Sequence, residues 1–567
     1  MRFLIAAVLY LVALVMIVVG VAERTIWAPA PSAEYAVVLD SKTPYTLINH
    51  ATLTKLPGEP TIRIQGGVPT NVLVTARESD IVGWLGDSAQ TRVVFDETGE
   101  KLTYTNQNGP TAAVDVTKSD MWRSVETNDL AVQQRVDVTD EAALLIASDG
   151  TQASPNAISL VWAVKYDLTP SNVLIIAGLI ILFAGVLLNL IAYYIMRKKR
   201  GPRRRTPRAP QGPRYRPRRK DKNKVVNTRG RRSARKLNAV IGTSLAIASL
   251  AGCAGVNPNA TPTPTETSLN QIDPAVLDSA QVAKIIADLV TVAAKGDAEK
   301  NADFLLTRFE GPALVARTAH YKLQSKDRNI AALPAISDKV VSFVLPSATR
   351  TWPRTAMVVT NSDAKDQLPQ VLVLQQDTPR DDYKVWYDIT VLPGAKFPSV
   401  PATEVGSIPV SPDSLFLKVQ PTALPMTYGN LIDQGDKSVY SLDFDLAADV
   451  FYQQVSKSQA DTIAKLTKAT VTVTHELGDP NVISLGTIES GALVAVYVND
   501  VYKIKPQKKS AVTVEGNEKL LFGATGSAKG IITTYGDLLL FYVPGASSKD
   551  KIQTLGATQF LLSVKGM

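Results

Sequence analysis

The chain of 567 residues is poor in the residue types from which catalytic and metal sites are usually assembled. Cys253 is its one cysteine, so no intramolecular disulfide can form and the fold must be held by burial. Histidine is nearly as scarce: His50, His320 and His475 show no pair at metal-ligand spacing and have no cysteine partner, which argues against zinc. The glycine signatures G-x-x-x-x-G-K-[ST], G-x-G-x-x-G and G-x-S-x-G are absent, so the common nucleotide fingerprints and the nucleophile elbow are excluded. The sequence therefore gives no catalytic, cofactor or metal residue and points to a non-enzymatic protein. An envelope enzyme or accessory factor in glycan or lipid assembly is the alternative.

Acidic residues are almost missing from Arg197 to Lys236, where 20 Lys and Arg meet only Asp221. Taking that local +19 from the formal +9 leaves the remainder at −10, so the rest of the chain is mildly acidic. This stretch is rich in Arg, Pro and Gly, cannot bury a core, and reads as a disordered cytoplasmic loop. Its partners are expected to be anionic headgroups, at ~1 kcal/mol per basic residue near the surface. With Tyr215 as its only aromatic residue it has no stacking set, and no specific nucleic acid is expected. A scaffold role toward a cytoplasmic partner is a further reading.

Two long uncharged runs frame the first third of the chain. Phe3–Ala22 reads as a transmembrane helix or signal anchor (1–22), with Gly20-Val21-Ala22 also fitting a cleavable signal. Val173–Ile195 reads as a membrane span (173–196), with Tyr193 and Tyr194 at the interface and a basic flank that places this end inside. Asn189 interrupts that run as a helix-association contact or, preferably, as a tolerated polar residue near the headgroups. The expected location is the cell membrane, with 23–172 and everything after Cys253 extracytoplasmic.

A third apolar stretch follows the basic loop. Arg229, Arg231, Arg232, Arg235 and Lys236 precede Leu237–Leu250, which is short for a span, and the stretch ends in Leu250-Ala251-Gly252-Cys253. This ending resembles the lipobox of bacterial lipoproteins. The resemblance implies cleavage before Cys253 and its lipidation, with 237–253 as the signal and 254–269 as a Pro/Thr tether. The competing reading is a short third span, Leu237–Val256. The whole arrangement resembles the envelope membrane proteins and lipoproteins of unknown function common in Gram-positive actinobacteria.

Between the first two spans, residues 23–172 carry short alternating runs bounded by turn residues. They predict an antiparallel all-β sandwich or barrel uninterrupted by helices. Trp84, Trp122 and Trp162 read as core, with a carbohydrate surface as the alternative. Beyond the tether, a helix is expected from Asp273-Pro274 to Lys295-Gly296, then helices Asp297–Arg308 and Pro312–Gln324, then strands. A weak repeat divides this part into α+β domains at 270–398 and 399–567, with Ser268–Met567 expected to be soluble on its own. Helices followed by a curved meander resemble the cone-shaped α+β domains of the nuclear transport factor two and cystatin-like group. That resemblance implies a pocket under the helices, lined by Phe304, Phe309, Tyr321 and Trp386, although each of these reads preferably as core. His475-Glu476 reads as a solvated pair rather than an acid/base couple, and Asp381-Asp382 as a hydrated hairpin tip. Partners are thus membrane lipids and an unknown envelope protein or glycan.

Overall fold

The computed structural model describes residues 2–199 and 273–567, apart from 29, 41, 66–69, 113, 140, 149–151, 165–167, 274, 339 and 362–366. They fall into two compact units. One contains Met1–Pro29 with Tyr166–Asn270, and the other Ala30–Lys165 with Gln271–Met567.

The first unit is a helical hairpin of Arg2–Thr25 and Thr169–Lys199. Its candidate spans, 23 and 31 residues long, are long and apolar enough to cross a membrane. The helices run antiparallel: Gly20 lies against Ser171 and Ile175, Gly178 against Ala13 and Ile17, and Gly185 against Leu9 and Tyr10. A Cβ at Gly20 or Gly178 would stand 2.7 Å from an isoleucine carbon, so the missing side chains let the backbones approach. The Asn189 amide donates to the Tyr10 hydroxyl at 3.4 Å, making Asn189 a contact between the helices rather than a merely tolerated polar residue. Thr25 and Thr169 lie at the same end of the hairpin.

In the second unit, residues 30–165 form two sheets. Strands Ser32–Val38, Ala157–Ala163, Thr61–Gln65 and Ala131–Arg135 pair in that order. The larger sheet runs Leu102–Gln107, Gln90–Phe95, Tyr45–Ile48, Ala142–Ala147, Asn71–Arg77, Ser124–Asn128. Ile62, Ile64, Leu73, Leu144, Ile146, Leu160 and Trp162 fill the space between them. Every residue of Ala142–Ala147 is buried, because the sheet's far face is covered too, by helix Glu78–Leu85 with Trp84 and by Trp122. That helix, and the parallel pairing of Tyr45–Ile48 with Gln90–Phe95, depart from the expected helix-free antiparallel pattern. At eight residues the helix shows too little period to announce itself.

Residues 273–567 stack in four layers. Helices Ser279–Glu299 and Gly311–Lys326 cover one face of the sheet Val340–Pro346, Arg354–Asn361, Gln370–Gln376, Lys384–Thr390. The other face of that sheet, through Met357, Val371, Val373 and Ile389, packs on Leu493, Ala495, Leu538 and Leu540 of a second sheet. This second sheet runs Ala469–Leu477, Ala492–Pro506, Ile531–Val543, Gln553–Gly566, with Ile483–Gly486 beside Ala492–Pro506. Helices Leu424–Gln434 and Val450–Lys465 close its outer face around Tyr428, Phe444 and Phe541.

Helix boundaries moved for identifiable reasons. The first helix begins after Asp278, not Asp273, because Asp278 and Gln281 cap one another reciprocally, and Ala275 bridges to Ala348 instead. It continues past Gly296 to Glu299, so the helix expected from Asp297 shrinks to the short turn Ala302–Leu305.

Candidate functional site

Two features concentrate polar chemistry: a charged seam between residues 30–165 and 273–567, and a cavity within the latter.

In the seam, arginines of the C-terminal region donate to groups of the N-terminal region. Arg308 makes a two-pronged pair with the Asp120 carboxylate, one prong at 3.1 Å. The Asp120 side chain is 1 % exposed and also accepts from the Tyr383 backbone at 2.9 Å. Burial works to lower the Arg308 pKa, but Asp120 more than offsets it, so the guanidinium stays charged. Gln281, the cap partner, reaches across as well, its amide donating to the Met121 carbonyl at 2.8 Å. Arg354 pairs with Asp80 at 2.7 Å with both side chains almost wholly buried, and its guanidinium lies 3.8 Å from the Trp352 ring centre. Arg350 holds both oxygens of Glu141 at 2.9 and 3.0 Å. Arg380 donates to the Trp84 carbonyl at 2.9 Å and to Ser88 at 2.8 Å, stacked on the Trp84 ring. Gly83 admits the Trp352 ring where a Cβ would stand 2.4 Å from it.

The cavity, of about 430 Å³, lies between helix Gly311–Lys326, the sheet residues Gln370, Asp388 and Thr390, and Tyr535, Thr558 and Phe560 of the second sheet. Arg317 is its charged anchor. Its Nη1 meets both oxygens of Asp297 at 2.8 and 2.9 Å, and Nη2 meets Asp388 at 3.2 Å. Its side chain is 4 % exposed, yet its Nε has no partner. Burial raises the Asp388 pKa, with Arg317 opposing. His320, on the same helix, is pushed down by burial and so is neutral near pH 7; its Nε2 lies 2.9 Å from the Ala331 carbonyl. Tyr535 donates to Glu518 at 2.7 Å, and this pair also lines a second cavity of about 570 Å³ with Tyr502, Ser458 and Lys465.

The four residues expected to share a pocket are dispersed. Phe309 and Tyr321 are buried in the helix-facing core, with the Tyr321 hydroxyl donating to Asp297. Phe304 is exposed, under the Lys295 ammonium. Trp386 packs against Gly311, whose φ of 55° leaves a Cβ site 2.6 Å from the ring. Trp84, Trp122 and Trp162 are buried. Leu250, Ala251, Gly252 and Cys253 lie outside the described residues.

His475 is a correction: it is buried, and its partner is not Glu476. Strand alternation turns His475 inward and Glu476 outward, and the antiparallel register sets His475 opposite Asp500. Its Nδ1 lies 2.6 Å from Asp500 and its Nε2 3.2 Å from Asp433. Burial opposes its charge, but the two carboxylates prevail and raise its pKa. Burial and the neighbouring Asp500 drive Asp537 far above the carboxylate range. Asp382 is half-buried near Arg308 and raised mainly by burial, so it is not a fully hydrated tip. Among the described residues no group of three or more His, Cys, Asp or Glu is placed to hold a metal.

These features define a multidomain α+β protein with an N-terminal β-sheet region and two apolar helices. Residues 274–566 match the family described as "Domain of unknown function (DUF8094)", which covers just over half of the chain, and the chain belongs to that family. No curated protein and no solved structure matches it.

Proposed function

We propose that this chain is a non-enzymatic membrane protein of the cell envelope that presents one extracytoplasmic binding body built from both sides of its membrane-inserted segments. The observation that carries this reading is the buried pairing of Arg308 with Asp120, which joins residues before and after the basic loop in one folded body and so supports a single face for both.

The helical hairpin supports it, because Thr25 and Thr169 share one end and the sequence between them leaves and returns there. The chain emerges from the second span at Lys199, at the opposite end, and must cross back before Asp273. Leu237–Leu250, ending in the lipobox-like Leu250-Ala251-Gly252-Cys253, is the apolar stretch available for that return. Cleavage and lipidation at Cys253 would then occur on the face where the folded body lies.

The binding role rests on the cavity beside Arg317. Nη1 and Nη2 are held by Asp297 and Asp388, which fixes the guanidinium beside the cavity. With apolar walls from Ala313, Leu323, Leu333 and Phe560 beside the polar Gln370, Thr390 and Thr558, the cavity suits a small amphipathic molecule. The pairing of Arg317 and His475 with fixed carboxylates leaves both in structural roles, which favours binding over catalysis.

Topology is tested by cysteine labelling in a Cys253→Ala background. Single cysteines replacing the exposed Glu126 and Lys508 should both react with a membrane-impermeant maleimide in intact cells. Reaction of either one only after lysis would overturn the arrangement.

A further inference from the structure

We infer that residues 30–165 and 273–567 recognise one another in trans, so that the chain, once cut within its intervening segment, persists as a tight non-covalent complex. If Gly252–Cys253 is cleaved as proposed above, the product is a heterodimer of the N-terminal piece with its β region and the DUF8094 domain, but the inference itself rests on the seam alone.

The seam has the features of a recognition surface rather than of a tether. Charge runs mainly one way: Arg308, Arg350, Arg354 and Arg380 reach from one region to Asp120, Glu141, Asp80 and the Trp84 carbonyl of the other. Arg308 and Arg354 and their acids are buried to a degree seen within single domains. Separation would strand these charges in surfaces shaped around them, and a buried charge without its partner is strongly unfavourable. Aromatic anchors of the sort that dominate interfaces lie in the seam: Trp352 seated on Gly83, and Trp84 beneath Arg380. The reading of Ser268–Met567 as self-sufficient does not account for these arginines.

The test uses the full chain in its native membrane. A site-specific protease sequence is inserted between Thr261 and Thr265, beyond both Cys253 and the last apolar stretch, so cutting leaves the C-terminal piece with no covalent link to lipid or span. The expected result is that after cutting and a salt wash this piece stays with the membranes, and that after detergent extraction it co-elutes with the N-terminal piece. Release into the wash, or separate elution in detergent, would overturn the inference. Retention on membranes followed by separate elution would show that lipid, not the N-terminal region, held the piece, and would also overturn it. Arg308→Ala should weaken the complex at least about 100-fold, the equivalent of losing one buried charge partner. Arg380→Ala, at an exposed position where misfolding is not at issue, should weaken it by a smaller factor; dissociation unchanged in both variants would count against the seam.

Discussion

Arg308 and Asp120 lie 188 residues apart in sequence, yet the guanidinium Nη2 is 3.1 Å from Asp120 Oδ1 in a site closed to solvent. Between them in the chain stand a predicted span, a strongly basic loop and a lipobox-like signal. The pair therefore ties the reading of the fold to the reading of topology, because it forms only if both regions reach the same side of the membrane.

Gly83 provides a steric test of the seam. Alanine is a better helix former than glycine by about 0.8–1.0 kcal/mol, so Gly83→Ala would be stabilising in an open helix. Here the new Cβ would meet the Trp352 ring at 2.4 Å, and the expected outcome is destabilisation by about 1–3 kcal/mol in denaturant unfolding. Adding Trp352→Leu should recover part of the loss; a stabilised single variant would show that Trp352 does not sit there.

The His475 cluster predicts a pH dependence with a definite sign. His475 faces Asp500 and Asp433, with Asp537 beside Asp500, and its folded pKa is raised above the ordinary 6.5. The stabilisation from its charged form is complete below about 6.5 and fades as pH rises through the higher folded value. Asp537, also raised, pushes the same way by favouring its protonated form in the fold, but its loss begins nearer the ordinary carboxylate value. Thermal unfolding should therefore show lower stability at pH 8.5 than at pH 6, and His475→Gln should flatten that difference. An unchanged slope in the variant would remove His475 as its source.

Cys253 carries the processing prediction. Wild-type chain should yield a C-terminal product that incorporates labelled fatty acid, and Cys253→Ala should abolish both cleavage and labelling. A chain that stays intact at 61.0 kDa and takes up no label would identify Leu237–Val256 as a third span.

Much of the secondary structure was legible because it depends on local pattern. Strands such as Asn71–Arg77, Ala142–Ala147 and Gln370–Gln376 announce themselves by β-branched runs between turn residues, and the apolar helices by length alone. Helix Leu424–Gln434 does not stand out in the sequence; Pro425 sits in its first turn and Gly429 makes room for the His475 ring, 2.7 Å from its Cβ site. The sites were not legible, since their partners come from distant segments. Nothing near Arg308 or Arg354 in sequence names Asp120 or Asp80, and His475 was read with its neighbour Glu476 when its partner is set by strand register.

A double-mutant cycle on Arg308 and Asp120 addresses the central claim most directly. Arg308→Ala alone should cost about 3–5 kcal/mol in the unfolding of the full chain, because it leaves Asp120 buried without its cation. Asp120→Ala should cost a similar amount, and the double variant much less than the sum, with a coupling energy of about 2 kcal/mol or more. Losses that add to within about 0.5 kcal/mol would mean that the two residues do not meet, and that the regions on either side of the basic loop do not form one body.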